Sequence, residues 1–416
     1  MEGFTEVSQT QLDEETKYIF EKLREKGQAW VVGGWIRNLI LGISPGDVDI
    51  ATNLIPEEIL DIFPKSIMTG EKFGTVRVRT DIGSKEIEVT TLRSDGIYTD
   101  NRRPENVVFG VNIEDDIARR DFTINAMALD KNDVLIDKYN GVSDLKNNIL
   151  RCVGIAEERI REDGLRILRA FRFIGLKDNQ IMSFDHDLEN AIINNADVLN
   201  KISKERINEE LRKILQLNNR EIVLQKMHKL GVLQIIFDNL EMDFEVILSD
   251  DYIVNISLIF NTYKKDGNSL SEFIREKLKI SKKEREMIGF LHDNGINIPS
   301  SENIFEMRRF RASLSEEQKK SLFKYLKGMR INTEEVEKAI EELSPLKAGR
   351  DPLVNGEMLI AETGLKPEMK LGRLKGWLHR KQIEMDIDNI EDVLELLNDI
   401  DWENSNPEEW LPLAWP

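Results

Sequence analysis

Asp47 and Asp49 stand one residue apart in the segment VVGGWIRNLILGISPGDVDI, residues 31–50, and apolar Val48 and Ile50 alternate with them. That alternation predicts a β-strand carrying both carboxylates on one face. Two carboxylates side by side repel one another unless a cation lies between them. A hard divalent cation such as Mg²⁺ takes oxygen ligands and often brings substrate phosphates with it. Upstream, the pair Gly33 and Gly34 lets a backbone approach a phosphate and aim N–H groups at it. Arg37 adds a charged fork for phosphate oxygens. Glu88 alternates with Ile87 and Val89 in the strand-like run IEVTTLR, residues 87–93. Beside the aspartates, this third carboxylate would complete a two-metal site that activates an attacking hydroxyl and stabilises a pyrophosphate leaving group. Taken alone it is an exposed strand residue, and an isolated D-x-D also occurs at strand ends and in metal-dependent glycosyltransferases. The chemistry therefore rests on the combination. No G-x-G-x-x-G follows the strand AWVVGG, which argues against a dinucleotide-binding turn.

Two arginine-rich segments follow. IARRDFTINAMAL, residues 117–129, sets Arg119 and Arg120 beside Asp121, a candidate N-cap, with Asn125 four residues later on the same predicted helical face. Arginines at a helix N-terminus suit a triphosphate. EDGLRILRAFRFIGL, residues 162–176, winds as a helix with Ile167, Leu168, Phe171 and Ile174 on one face. Arg166, Arg169 and Arg172 lie on the other, with Asp163 one turn earlier. These arginines have no matching acids and form a stripe that expects an anionic partner. A carboxylate accepts from an exocyclic amine, and a guanidinium donates to a ring nitrogen. Cytosine presents its N4 amine beside N3, and adenine its N6 amine beside N1. Uracil and guanine present the reverse pattern. Asp163 and Arg166 could therefore choose C and A over U and G with no template.

Such residues need a frame. Residues 12–26 read as a helix ending at Gly27. From about 29 to 150, short apolar runs alternate with turn signals: AWVVGG, DVDIAT, GTVRVRT, KEIEVTTL, NVVFGV and VLIDKY. They predict one mixed sheet with a few helices, including PEEILDIF, residues 56–63, with proline at its start. Beyond about residue 150, helical periodicity takes over, so the fold class is α+β with an all-helical continuation. Weak boundaries fall near residues 218–219, 294–301 and 344–352. The end, ENSNPEEWLPLAWP, is polar and proline-broken and predicts a loosely docked tail.

The chain has 416 residues, enough for two to four domains, and is 40% hydrophobic and 32% charged. No apolar run reaches membrane-spanning length, the N-terminus lacks the pattern of a signal peptide, and Cys152 is the one cysteine. A reducing cytoplasm without membrane attachment is expected. Net charge is −18, yet nucleic-acid binding depends on local basic patches. Two exist: residues 161–172, and GLKPEMKLGRLKGWLHRK, residues 364–381, where Lys370, Arg373 and Lys375 are spaced to project from a helix. The ordinary alternative for the second is an amphipathic helix packed through Leu371, Leu374 and Leu378. No protein partner is evident.

In order, GGWIRNLILG…DVDIAT, GEKFGTVRV, IEVTTLR, RRDFTINAMA, EDGLRILRAFRF and KISKERINEELRKIL resemble the motifs of class II tRNA nucleotidyltransferases of the bacterial CCA-adding type. They belong to the superfamily of DNA polymerase β and poly(A) polymerases. The resemblance covers roughly residues 29–215 and continues more weakly to the end. It implies a seahorse-like arrangement, here placed as a head (1–150), neck (151–220), body (221–310) and tail (311–416), the tail binding tRNA. It also implies two Mg²⁺ on Asp47 and Asp49 and stepwise addition of C, C and A to tRNA from CTP and ATP. By matching position, it further implies that Gly34 and Arg37 meet the triphosphate, that Arg120 binds nucleotide, and that Asp163 and Arg166 read the base with Arg169 and Arg172 in support. Ser203, Arg206 and Glu209 are expected to brace the neck helices.

Bacterial poly(A) polymerases carry a basic G-R-R-F-type run after D-x-D, whereas this chain has Gly70-Glu71-Lys72-Phe73. CC-adding enzymes lack a flexible loop after the third strand. Here SDGIYTDNRRPEN, residues 94–106, is present and polar, as addition of A requires. A-adding enzymes keep that loop and remain an alternative, as does a catalytically silent RNA-binding module. The four histidines, His186, His228, His292 and His379, are too scattered to build an HD phosphohydrolase centre.

Overall fold

The computed structural model describes residues 7–70, 74–95, 107–178 and 180–416. Residues 71–73 of the GEKF run and most of the expected loop, 96–106, lie outside the described residues. The chain forms two compact units, 1–240 and 241–416.

The first unit carries strands β1 Ala29–Val32, β2 Asp49–Thr52, β3 Ile67–Gly70, β4 Thr75–Val78, β5 Ile87–Thr91, β6 Arg93–Asp95, β7 Val107–Phe109, β8 Ala128–Leu129, β9 Leu135–Ile136, β10 Ile149–Leu150 and β11 Ser183–Phe184. Its helices are α1 Glu14–Lys26, α2 Gly34–Leu41, α3 Pro56–Ile62, α4 Ile113–Ala118, α5 Gly141–Asn147, α6 Ala156–Glu162, α7 Leu165–Ile174, α8 His186–Asn195, α9 Lys204–Leu215, α10 Arg220–Lys229 and α11 Val232–Ile236. The expected α1 and α3 are present. α1 is capped by Asp13, which accepts from the Thr16 N–H at 3.0 Å.

Seven strands make one mixed sheet in the order β3-β4-β5-β2-β1-β8-β9. β2 and β5 are parallel and the other neighbours antiparallel. Leu129, Val31, Ile50, Val89 and Val76 stand in one register row across five strands, all buried. Burying each is worth roughly 1.5–3 kcal/mol, so this row resists slippage. The adjacent row on the opposite face is Ala128, Val32, Asp49, Glu88 and Arg77. The same pleat that buries one row thus aligns two carboxylates on neighbouring strands. Lower on that face, Trp30, Ala51, Ile113, Ile117 and Val153 close a second core.

Several expectations fail locally. Asp47 lies in the loop before β2, so only Asp49 is on the strand. IARRDFTINAMAL is not a helix: α4 ends at Ala118, one 3₁₀ turn spans Thr123–Asn125, and β8 follows. Its apolar residues Phe122, Ile124, Ala126, Met127, Ala128 and Leu129 are all buried. Strand pairing with β1 therefore overrides helical propensity. The motif at 162–176 breaks at Asp163, whose backbone is extended between α6 and α7, and Gly164 packs so closely that a Cβ there would stand 2.7 Å from Val198.

The second unit is helical, as expected. Met369–Met385 packs Leu371, Leu374 and Leu378 into a core with Leu359, Val393 and Trp410. The C-terminus is docked, not loose. Trp410 is buried in that core, and the Trp415 ring stands edge-on to Phe310 at 4.9 Å while its N–H donates to the Asn297 carbonyl at 3.0 Å. Two large aromatic anchors outweigh the polar, proline-broken stretch around them. Among the described residues no helix is long and apolar enough to cross a membrane.

Candidate active site

A cavity of ≈560 Å³ opens above the Asp49 end of the sheet. Eight arginines line it: Arg37, Arg93, Arg119, Arg120, Arg166, Arg169, Arg172 and Arg206. Against them stand three aspartates, Asp49, Asp121 and Asp163. A cavity so cationic favours a polyanion.

Gly33 turns the chain from β1 into α2 at a φ of 76°. Its N–H donates to the Met127 carbonyl at 3.3 Å, so it is held within the fold rather than aimed at a phosphate. A Cβ there would meet an Arg120 nitrogen at 3.0 Å and the Asp49 carboxylate at 3.6 Å. Gly33→Ala should therefore cost roughly 1–3 kcal/mol of backbone strain and displace Arg120. The unfolding temperature should fall, and KM for the anionic substrate should rise. An unaltered KM would separate the turn from the nucleotide site.

At the acid end, Asp49 and Glu88 face the same side, in register. Asp49 is open to solvent by area yet densely surrounded by protein atoms. The crowding governs its proton: burial, then Glu88 and Asp47, raise its carboxyl above the ordinary value against the opposing pull of Arg120 and Arg37. Glu88 has Arg77 at 3.9 Å as a distant counter-ion. The donor set is oxygen only, and its mutual repulsion is of the kind a hard divalent cation relieves. Among the described residues no three such side chains are gathered closely enough to enclose an ion.

The arginines are held from behind. Burial and the neighbouring Arg172 push Arg37 down to about 10. It bonds the Asn125 side-chain oxygen and lies over the Phe173 ring, 5.1 Å from its centre. Phe173 also receives Arg169 at 5.4 Å and Arg172 at 4.4 Å. One buried ring thus offers its negative face to three guanidinium groups that would otherwise only repel each other. Asp116 is buried beneath Arg119 and Arg120, at 2.7 and 3.1 Å. Burial raises its carboxyl, but Arg120 and Arg119 outweigh that and hold it low.

Asp121 is not a helix cap. It accepts from the Phe122 N–H at 2.8 Å and from the Asn125 amide at 3.1 Å, and it grips Arg169 through two hydrogen bonds, one of 2.8 Å. Burial alone would raise its carboxyl; Arg169 and these hydrogen bonds reverse that and hold it far below the usual range. The stripe on α7 is likewise not unmatched. Arg166 meets Glu162 at 2.7 Å, Arg169 meets Asp121, and Arg172 meets Glu210 at 2.8 Å. Asp121 and Glu210 come from distant segments, which no reading of α7 could supply.

Asp163 and Arg166 line the same cavity as Asp49. Asp163 accepts from Arg206 at 2.9 Å. Arg166 donates to Glu162 and to the Arg159 carbonyl. No spacing marks Phe173 or Glu210 within their motif segments, and Asp116 stands outside the motif segments. The spacing of Asp116 four residues before Arg120 is a legible helical pair; Phe173 and Glu210 carry no such signal. Lys370, Arg373 and Lys375 belong to the second unit, on Met369–Met385, and the Lys370 ammonium donates to the Glu403 carbonyl at 2.7 Å.

Residues 29–151 match the family described as the Poly A polymerase head domain. Residues 182–244 match one described as a probable RNA and SrmB-binding site of polymerase A. The CCA-adding enzyme of Ligilactobacillus salivarius is 34% identical over 401 residues, 90% of this chain and 93% of that protein. The chain belongs to the CCA-adding enzymes. A second member, from Geobacillus stearothermophilus, is 46% identical over 198 residues, covering 47% of this chain and 48% of its own. The solved Bacillus stearothermophilus CCA-adding enzyme in complex with CTP superposes with a TM-score of 0.76 at 27% identity, covering 92% of this chain and 96% of that one. The Thermotoga maritima enzyme complexed with tRNA_CCA shares the fold, with a TM-score of 0.61 at 22% identity over 96% of this chain and 99% of its own. The family is one of tRNA nucleotidyltransferases, which use divalent metals.

Proposed function

We propose that this enzyme adds C, C and A stepwise to the 3′ end of tRNA, taking CTP and ATP and releasing pyrophosphate, with no nucleic-acid template. One observation carries the residue assignments: a single cavity is lined by Asp49, by Asp163 with Arg166, and by seven further arginines. That arrangement suits a nucleoside triphosphate whose phosphates meet the arginines and whose base meets the pair.

In this reading Arg37, Arg120, Arg169 and Arg172 hold the triphosphate, with Gly33 and Gly34 allowing close approach and Asp121 and Asn125 fixing the arginines. Asp163 accepts the exocyclic amine of C or A, and Arg166 donates to the adjacent ring nitrogen. Asp47 and Asp49, with Glu88 adjacent, would hold two Mg²⁺. When bound, these neutralise phosphate charge and favour the ionised terminal hydroxyl. The reading keeps the head, neck, body and tail at 1–150, 151–220, 221–310 and 311–416, and a cytoplasmic setting.

The test uses tRNA ending at the discriminator base and, separately, tRNA ending in CC. Each receives single labelled nucleotides, and product length is read. Two C additions on the first and one A on the second are expected. A alone, on the CC-ended tRNA only, would mean an A-adding specialist, and long A tracts a poly(A) polymerase. Binding without transfer would mean a silent RNA-binding module.

The stretch bearing Lys370, Arg373 and Lys375 would grip tRNA through backbone phosphates. Neutralising the three together should raise KM for every tRNA alike, flatten the salt dependence of binding and leave nucleotide choice untouched. Wild-type affinity and salt slope would remove this patch from the binding surface.

A further inference from the structure

The two groups read here as choosing the base are set by different elements. Arg166 is fixed from α6, through Glu162 and the Arg159 carbonyl. Asp163 is fixed from α9: its Oδ2 accepts from Arg206 at 2.9 Å, while Oδ1 accepts from the nearby Leu165 N–H at 3.1 Å. A carboxylate offers about four acceptor positions, so about two remain for a ligand. The pair is sheltered, Arg206 being 21% and Asp163 17% exposed, so water screens it less than it does a surface pair. The second Arg206 terminal nitrogen, Nη1, is buried with no partner among the described residues, and Arg206 lines the cavity. A pure helix brace would spend its fork within the helices; this one spends half on Asp163 and leaves half without a partner.

We propose that Arg206 is a positioning residue for base selection, holding the Asp163 carboxylate toward the amine of C and A. The proposal rests on the reading of Asp163 as the base-reading group. Uracil and guanine offer a carbonyl where C and A offer the amine, so a fixed carboxylate repels them as firmly as it binds the others. Without Arg206, the Asp163 side chain can rotate away. Attraction and repulsion then weaken together, and discrimination shrinks from both sides.

The experiment compares wild type, R206Q, D163A and the double variant, measuring kcat/KM for all four nucleoside triphosphates on tRNA ending at the discriminator base and at CC. R206Q should lose roughly 10-fold with CTP and ATP, the scale of a hydrogen bond to a charged group, with no loss for UTP or GTP. In the D163A background R206Q should change discrimination no further, because both act through one carboxylate. Thermal unfolding checks that R206Q is folded. If it is not, R206K carries the test, with a loss of about threefold confined to the same two nucleotides, since a lysine keeps the charge but not the fork. Equal loss for all four nucleotides, additive effects in the double variant, or wild-type discrimination overturns the role of Arg206. If D163A keeps the wild-type preference for C and A, the base-reading assignment itself falls, and this proposal with it.

Discussion

Asp49→Ala is expected to lower nucleotide transfer by ~10³-fold or more, because several kcal/mol of transition-state stabilisation are lost and each 1.36 kcal/mol is tenfold. Asp47→Ala should do the same if both aspartates hold metal. The fold should survive. Asp49 is open to solvent by area, and burial among protein atoms, then repulsion from Glu88 and Asp47, raises its carboxyl. The sign follows: a carboxyl raised in the folded state binds its proton more tightly there than when unfolded, so ionising it weakens the fold as pH rises. Without divalent metal, Asp49→Asn should therefore unfold no lower than wild type at neutral pH. Mg²⁺ should raise the unfolding temperature of wild type and not of the variant. Near-normal turnover of Asp49→Ala in Mg²⁺, or equal Mg²⁺ stabilisation of both proteins, would remove the metal assignment.

The second large effect is on stability. Asp121→Asn leaves Arg169 facing Arg37 and Arg172 without its counter-ion, and it weakens the grip on the Asn125 amide. Breaking a buried pair from one side costs about 3–5 kcal/mol. Arg169 keeps 35% of its side chain open to the cavity, so a cost of about 3 kcal/mol is expected. Asp121→Asn with Arg169→Gln should recover much of the stability and none of the nucleotide affinity. The pH dependence has the opposite sign from Asp49. The Asp121 carboxyl is held low, so its stabilisation is present above the unfolded carboxyl value of about 3.9 and is lost as pH falls below it. Chemical denaturation across the acid range should show wild type losing stability more steeply than the variant. Parallel slopes would mean that Asp121 does not carry this stabilisation.

The recurring motifs were legible because each is local. The alternation in DVDI and IEVTT forecast β2 and β5, and the heptad-like spacing in LRILRAFRFI forecast α7. Failures cluster where a distant partner decides. AMAL reads as helix by composition but pairs as a strand with β1. The tail WLPLAWP reads as loose, yet Phe310, Asn297 and the core around Trp410 receive its tryptophans.

The motif segments, their order and the chemistry of their side chains can be read from residue order alone, because residue type and short spacing are local properties. Residue order also shows that Asp49 and Glu88 alternate with apolar neighbours in strand-like runs. That β2 and β5 lie side by side in a register aligning those two carboxylates is a property of the fold, not of either segment. The fold alone decides which acid each arginine meets, pairing Arg169 with Asp121, Arg172 with Glu210 and Arg206 with Asp163. The reason is physical. Electrostatic partners across a cavity are set by how helices and sheet pack, and that packing is driven by apolar contacts with no charge pattern to read.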